Sequence, residues 1–450
     1  MSNIEKIKQI SNFFETRFRD NDIHCEACHT KHTGRNAYSI VIFLYLFEET
    51  KEQKYFDLAY AIAKTTMSKL QPDPLHGGAI FMPGNHEGAN QSNSVMDAGM
   101  CTDMVSVFLL YCQKYNIEIE EKKEWIERLS QHIDEYLADS SLNKTVINQR
   151  LWGLTGIISF YKLTKREKDK QHIEEVLEKT FNEQNSDGSF GYTNKKIDSD
   201  PQTYFSVYYF SRLIAYICYA VESVNLQEKY EENIIKAFNL VYDCLDFEGK
   251  KILDIETKKL FFQASYEVES LSHDIYVSRF VNSYYKYGSN KVLDKIQTTY
   301  LKHIDKNGLN CNYEDKPNML CSFIDNSDFV WYLRSVDFDS DKSLENFEEN
   351  SRDYDIAGFK VEYEKDKKII TLRNSYYASI GWGRLNGTKI VLGKNSKEVI
   401  LGKNNYFGLK YMLKRNYGDF KNMWYTSQYN LSYKNSKRKY FIKKLKEFVF

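Results

Sequence analysis

The chain has 450 residues, 42% hydrophobic and 28% charged, which is enough to bury a large core and, by length, to form two domains. Lys and Arg together number 62, as do Asp and Glu, so the net charge is zero and the basic excess of a general nucleic-acid binder is missing. The N-terminal stretch has no apolar core of signal-peptide length and no run reaches bilayer-spanning length, so a cytoplasmic protein with neither nucleic acid nor membrane as partner is expected.

In chain order, amphipathic charged helices are predicted at about 3–18, 52–70, 120–138, 168–184, 226–245 and 290–304. An apolar, Tyr- and Ser-rich helix follows each, beginning near Asn36, Asp97, Asn148, Gln202, Tyr266 and Met319. The pair recurs about every fifty to sixty residues. Alternating outer and inner helices of this kind close into an (α/α)6 toroid over residues 1–336, with the loops entering the inner helices gathered at one rim. An acidic stretch at 337–355 reads as a linker. From 356 to 450 the period changes to two, which predicts a small antiparallel β-domain with hairpins turned at Lys365–Lys367 and at Asn386–Gly387.

The rim loops hold the chemistry-bearing side chains. Before the first inner helix, Cys25, Cys28, His29 and His32 form a Cys-x-x-Cys-His pattern that could ligate zinc or attach haem, although unmetallated thiols and no cofactor are expected. Arg35 follows directly. The second loop offers His76, Asn85, His86 and Asn90, and Asp97 stands where it could cap its helix or serve catalysis. Asp103 lies almost two turns further along a similar face. In the fourth pair Tyr204, Tyr208 and Arg212 are spaced one turn apart on one face. Glu267, Glu269, His273 and Asp274 cluster at the start of the fifth inner helix, and Asp325 and Asp328 near the sixth. No nucleotide-binding or zinc-protease motif occurs.

The layout, a helical toroid followed by β-structure, resembles the heparinase II/III and chondroitin/alginate-type polysaccharide lyases. In those families a segment like Asp187-Gly188-Ser189 followed by Tyr204 and Tyr208 lines the sugar cleft. The segment from Gln184 to Tyr192 is also similar to the QxxDGSW-type repeat of terpenoid cyclases and prenyltransferase β-subunits.

The expected function is cleavage of a uronate-containing polysaccharide or oligosaccharide by β-elimination. Arg35, Asn85 or His86 would bind the carboxylate, and Tyr208 or His86 would take the C5 proton. Tyr204 or Tyr208 would protonate the leaving oxygen, with Arg212 favouring tyrosinate. His273 joins this catalytic group, and His76, Asn90, Asp187 and Tyr192 are expected to touch substrate. A glycoside hydrolase of the same fold would instead pair Asp97 or Asp103 with Glu267 or Glu269. A toroid that only binds a glycan or peptide, or one that is terpenoid-cyclase-like, is the remaining alternative.

Overall fold

The computed structural model describes residues 3–23, 33–72, 79–81, 91–194, 207–245, 249–251, 268, 270–308, 328–339 and 344–345. It also describes the strands at 352–356, 359–364, 369–374, 388–392 and 398–401.

Among the described residues six inner helices are present: α2 (Thr33–Thr50), α4 (Gln91–Lys114), α7 (Ile147–Thr164), α9 (Val207–Ser223), α11 (Leu271–Tyr285) and α13 (Phe329–Arg334). Each packs against the next in this order, and α13 returns to pack against α2, so the inner helices form a closed ring. The outer helices are α1 (Asn3–Glu15), α3 (Gln53–Ser68), α5 (Lys122–His132), α8 (Glu167–Asn182), α10 (Glu231–Asp243) and α12 (Asn290–Lys302). A π-turn at Ile133–Leu137 continues α5 into α6 (Ala138–Leu142).

The division into two rings follows from side-chain pattern. α5 buries Trp125, Leu129 and His132, a stripe at four- and three-residue spacing, and leaves its charged face to water. In α7, by contrast, Ile147, Asn148 and every residue from Arg150 to Phe160 are buried, because neighbours cover the helix on all sides. Ser289 sets the start of α12 by accepting a hydrogen bond from the Val292 N–H at 3.2 Å. Lys165 and Lys286, both at positive φ, end α7 and α11.

The tightest seam joins α4 to α7. A methyl group built on Gly99 would lie 2.3 Å from the Trp152 carbonyl oxygen, and one on Gly156 2.8 Å from the Gly99 carbonyl oxygen. The two backbones approach so closely that only glycine fits. Residues 95–114 of α4 are apolar and long enough for a bilayer span, which the expectation of no such run missed, but most of this stretch is buried among ring helices.

Short hairpins flank the ring: β1 (Phe18–Arg19) pairs with β2 (Asp22–Ile23), and β3 (Leu70–Pro72) with β4 (Ala79–Phe81). Beyond α13 the strands β5 (Arg352–Ile356), β6 (Phe359–Glu364), β7 (Ile369–Asn374), β8 (Thr388–Leu392) and β9 (Glu398–Leu401) lie side by side in that order. The β6–β7 hairpin is the one expected at Lys365–Lys367. The expectation of a wholly antiparallel sheet is corrected: β8 runs parallel to β7, so the sheet is mixed. The hairpin expected at Asn386–Gly387 lies outside the described residues. Strand β5 also begins inside the segment taken as a linker, and Glu345 of that segment accepts a hydrogen bond from Ser289 at 2.8 Å, tying it to the start of α12.

Candidate functional site at the mouth of the ring

Each inner helix contributes one prominent side chain near its N-terminal end: Arg35, Asp97, Trp152, Arg212, Asp274 and Asp328. Hydrogen bonds and stacking join Arg35, Trp152, Arg212 and Asp328 directly. Asp328, wholly buried, precedes α13 and receives Arg35 Nη1 on Oδ1 at 2.7 Å and Arg212 Nη2 on Oδ2. The guanidinium carbons of Arg35 and Arg212 lie 4.6 and 5.0 Å from the centre of the Trp152 ring. The indole N–H of Trp152 donates to the Tyr38 hydroxyl at 2.8 Å. The result is a guanidinium–carboxylate–guanidinium bar resting on an indole.

Asp97 is half-buried. Its expected role as cap of its own helix is corrected, since α4 begins at Gln91 and Asp97 lies nearly two turns inside. Its carboxylate instead accepts from the Gly34 N–H in the first turn of α2 at 3.1 Å, and so it helps satisfy a neighbouring helix terminus. On the far side of the ring from α4, Asp274 receives Lys251 Nζ at 2.5 Å. Lys251 also donates to Ser211. Burial raises the Asp274 carboxyl above its ordinary value, against the pull of Lys251 and Ser211.

A second polar layer lies about 9 Å deeper, six residues further along α4 at 1.5 Å rise per residue. Here Asp103 Oδ1 accepts from Arg334 Nη2 at 2.6 Å and from the Ser159 hydroxyl at 2.5 Å, and Ser159 meets the Tyr219 hydroxyl at 2.7 Å. Burial opposes the charge on Arg334, but Asp103 and Tyr219 hold its guanidinium above the ordinary value. Burial also pushes the Tyr38 phenol up, so it stays neutral.

The sequence-predicted residues separate accordingly. Arg35, Asp97 and Arg212 converge on the mouth layer. Arg212 is engaged by Asp328 and Trp152. Tyr208 is placed one turn before Arg212 on α9. His273 is buried, its ring stacked on Trp331 at 5.4 Å and edge-on to Tyr216 at 5.9 Å. Tyr192 lies beside the start of α7, where its carbonyl accepts from the Ile147 N–H at 3.1 Å. The Asp187 carboxylate accepts from the Ser189 N–H at 2.9 Å, within a turn whose Gly188 (φ +90°) sits against the Lys236 backbone of outer helix α10. Asn85, His86, His76, Asn90, Tyr204, Glu267, Glu269, Cys25, Cys28, His29 and His32 lie outside the described residues. Among the described residues no His, Cys, Asp and Glu group is arranged to hold a metal ion.

Trp152 and Lys251 were not singled out in the sequence. Trp152 reads as one more apolar residue of an apolar helix, and Lys251 lies in a Lys- and Asp-rich stretch that looks solvated.

No protein-family model matches the chain, and no curated protein matches it in sequence. Solved structures share its fold. The cellobiose 2-epimerase of Bacillus thermoamylovorans is similar with a TM-score of 0.54 and 12% identity over 72% of this chain and 98% of that one. The unsaturated glucuronyl hydrolase of a Bacillus species gives 0.53 and 9% over 74% and 96%. The cellobiose 2-epimerase of Spirochaeta thermophila gives 0.53 and 13% over 72% and 93%. The (α/α)6 toroid of this chain is therefore a fold used by carbohydrate-active enzymes. Heparinase-type lyases are not among these similar structures.

Proposed function

We propose that this chain is a carbohydrate-processing enzyme that cleaves an oligosaccharide bearing a carboxylate, with residues 1–336 as its catalytic unit. The observation that carries the proposal is the bar at the mouth: two guanidiniums converge on the carboxylate of Asp328 over a stacking indole. Such a site favours an anionic sugar, whose ring face can lie against aromatic surface while its carboxylate meets arginine.

Hydrolysis is the reaction favoured. Asp97 is a half-buried carboxylate in the same layer, suited to act as acid or base, with Glu267 or Glu269 as the second carboxyl group. The similar fold of an unsaturated glucuronyl hydrolase supports this choice of substrate class and reaction. β-Elimination is the second reading, favoured by the position of Tyr208 one helical turn before Arg212, as a proton-abstracting pair would require.

Purified protein incubated with uronate-containing oligosaccharides distinguishes them. New reducing ends without ultraviolet absorbance from an unsaturated uronate, lost in Asp97→Asn, support hydrolysis. Rising absorbance, lost in Tyr208→Phe, supports elimination. Conversion of the sugar without cleavage, as an epimerase would give, overturns both.

A further inference from the structure

Beneath the bar, the ring axis holds buried polar atoms that no protein group satisfies. Asp103 directs one carboxylate oxygen to Arg334 and Ser159, while its Oδ2, also buried, has no hydrogen-bond partner. Arg334 Nη1, Trp331 Nε1 and the Tyr276 hydroxyl are likewise buried without a partner. These groups stand together: the Arg334 guanidinium lies 4.9 Å from the centre of the Trp331 ring, and that ring meets Tyr276 edge-on at 5.2 Å. Buried polar groups in folded proteins are almost always hydrogen-bonded, and where the protein does not supply the partner, internal water does.

The set comprises an acceptor (Asp103 Oδ2), two obligate donors (Arg334 Nη1 and Trp331 Nε1) and a hydroxyl that can do either, which is the complement of a tetrahedral water. An anion is disfavoured by the Asp103 carboxylate. A sugar is disfavoured by packing, since Trp331 is in ring contact with Tyr216 at 4.9 Å, His273 at 5.4 Å and Tyr219 at 5.9 Å.

We infer that the deep layer is an internal hydration site in which ordered water bridges Asp103 Oδ2 to Arg334 Nη1 and to the Trp331–Tyr276 pair. The site is separate from the sugar-binding layer and does not depend on the proposed reaction. It fills from the end of the ring opposite the mouth, where the Arg334 side chain is 10% exposed and Tyr219 lies under Lys162 at 4.2 Å.

A high-resolution crystal structure of the full chain tests this directly. Solvent density within hydrogen-bond distance of both Asp103 Oδ2 and Arg334 Nη1 is expected, and its absence, or density of another molecule there, overturns the inference. Tyr276→Phe gives a second, solution measurement. Where water holds the hydroxyl, removing it lowers the thermal midpoint. A raised midpoint in that variant means that an unsatisfied group was removed and sinks the proposal.

Discussion

Arg35 and Arg212 stand on inner helices that face each other across the ring, and they meet on the two oxygens of one carboxylate, that of Asp328. A contact spanning the diameter does two things at once. It ties α2, α9 and α13 together at the mouth, and it sets two guanidiniums side by side there.

Asp328→Asn keeps the shape of the side chain and removes the charge that two buried guanidiniums share. The expected cost is on the order of 3–5 kcal/mol, the usual penalty for breaking a buried ion pair by removing one partner. Urea unfolding followed by circular dichroism measures it, and a loss below about 1 kcal/mol would mean that water reaches the bar.

Arg35→Gln should separate acidic from neutral substrates. Loss of a hydrogen bond to a charged group is worth roughly 1.5–3 kcal/mol, so KM for a uronate-bearing oligosaccharide rises about ten- to a hundredfold. A neutral oligosaccharide of the same length should change little. Equal effects on both would mean that Arg35 serves the fold and not the ligand.

Gly99→Ala presses a methyl group into the backbone of α7, 2.3 Å from the Trp152 carbonyl oxygen and 2.7 Å from the Gly153 Cα. Backbone cannot rotate away as a side chain can, so a destabilisation of about 1–3 kcal/mol or more is expected. Differential scanning calorimetry of the variant checks it. An unchanged thermal midpoint would show that α4 and α7 slide apart freely.

His172 gives the fold a pH dependence. Burial lowers its imidazole below the ordinary 6.5, against the pull of Glu175, Asp169 and Asp139, while its Nε2 lies 3.2 Å from the Ser141 hydroxyl. Below 6.5 the unfolded chain takes up a proton that the native state resists, so stability present at neutral pH is lost as pH falls. His172→Gln should flatten that part of the stability profile, as measured by thermal midpoints across mildly acidic pH.

The alternation of charged and apolar helices was legible because the outer ring must be amphipathic and the inner ring apolar all round. The outer helix predicted at about 290–304 is found at Asn290–Lys302, and that at about 168–184 at Glu167–Asn182. Inner-helix starts were harder to place. Asp97 looked like a cap because its residue type favours that position, yet the terminus it serves belongs to α2, 63 residues earlier. Arg35 could be picked out as a charge of a polar rim loop and Arg212 as a charge within an apolar helix. Their meeting at Asp328 could not, since nothing local records which helices lie opposite one another in a closed ring. The parallel pairing of β7 with β8 was missed for a related reason, because a period of two reports an extended segment but not the neighbour it pairs with.

The last seam of the ring is made by a helix of six residues, α13, and it joins the two ends of the helical region. Arg35 and Asp328 are 293 residues apart, Asp103 and Arg334 are 231 apart, and Lys6 reaches the Ile304 carbonyl across 298. A nascent chain must therefore emerge beyond Arg334 before its first helices find their final neighbours. Until then α2 and α9 carry arginines without their shared counter-ion, and the arc stays open like a bracelet awaiting its clasp. Closure is a late, long-range event in folding, and a chain ended shortly before Asp328 would lose far more than the few residues removed.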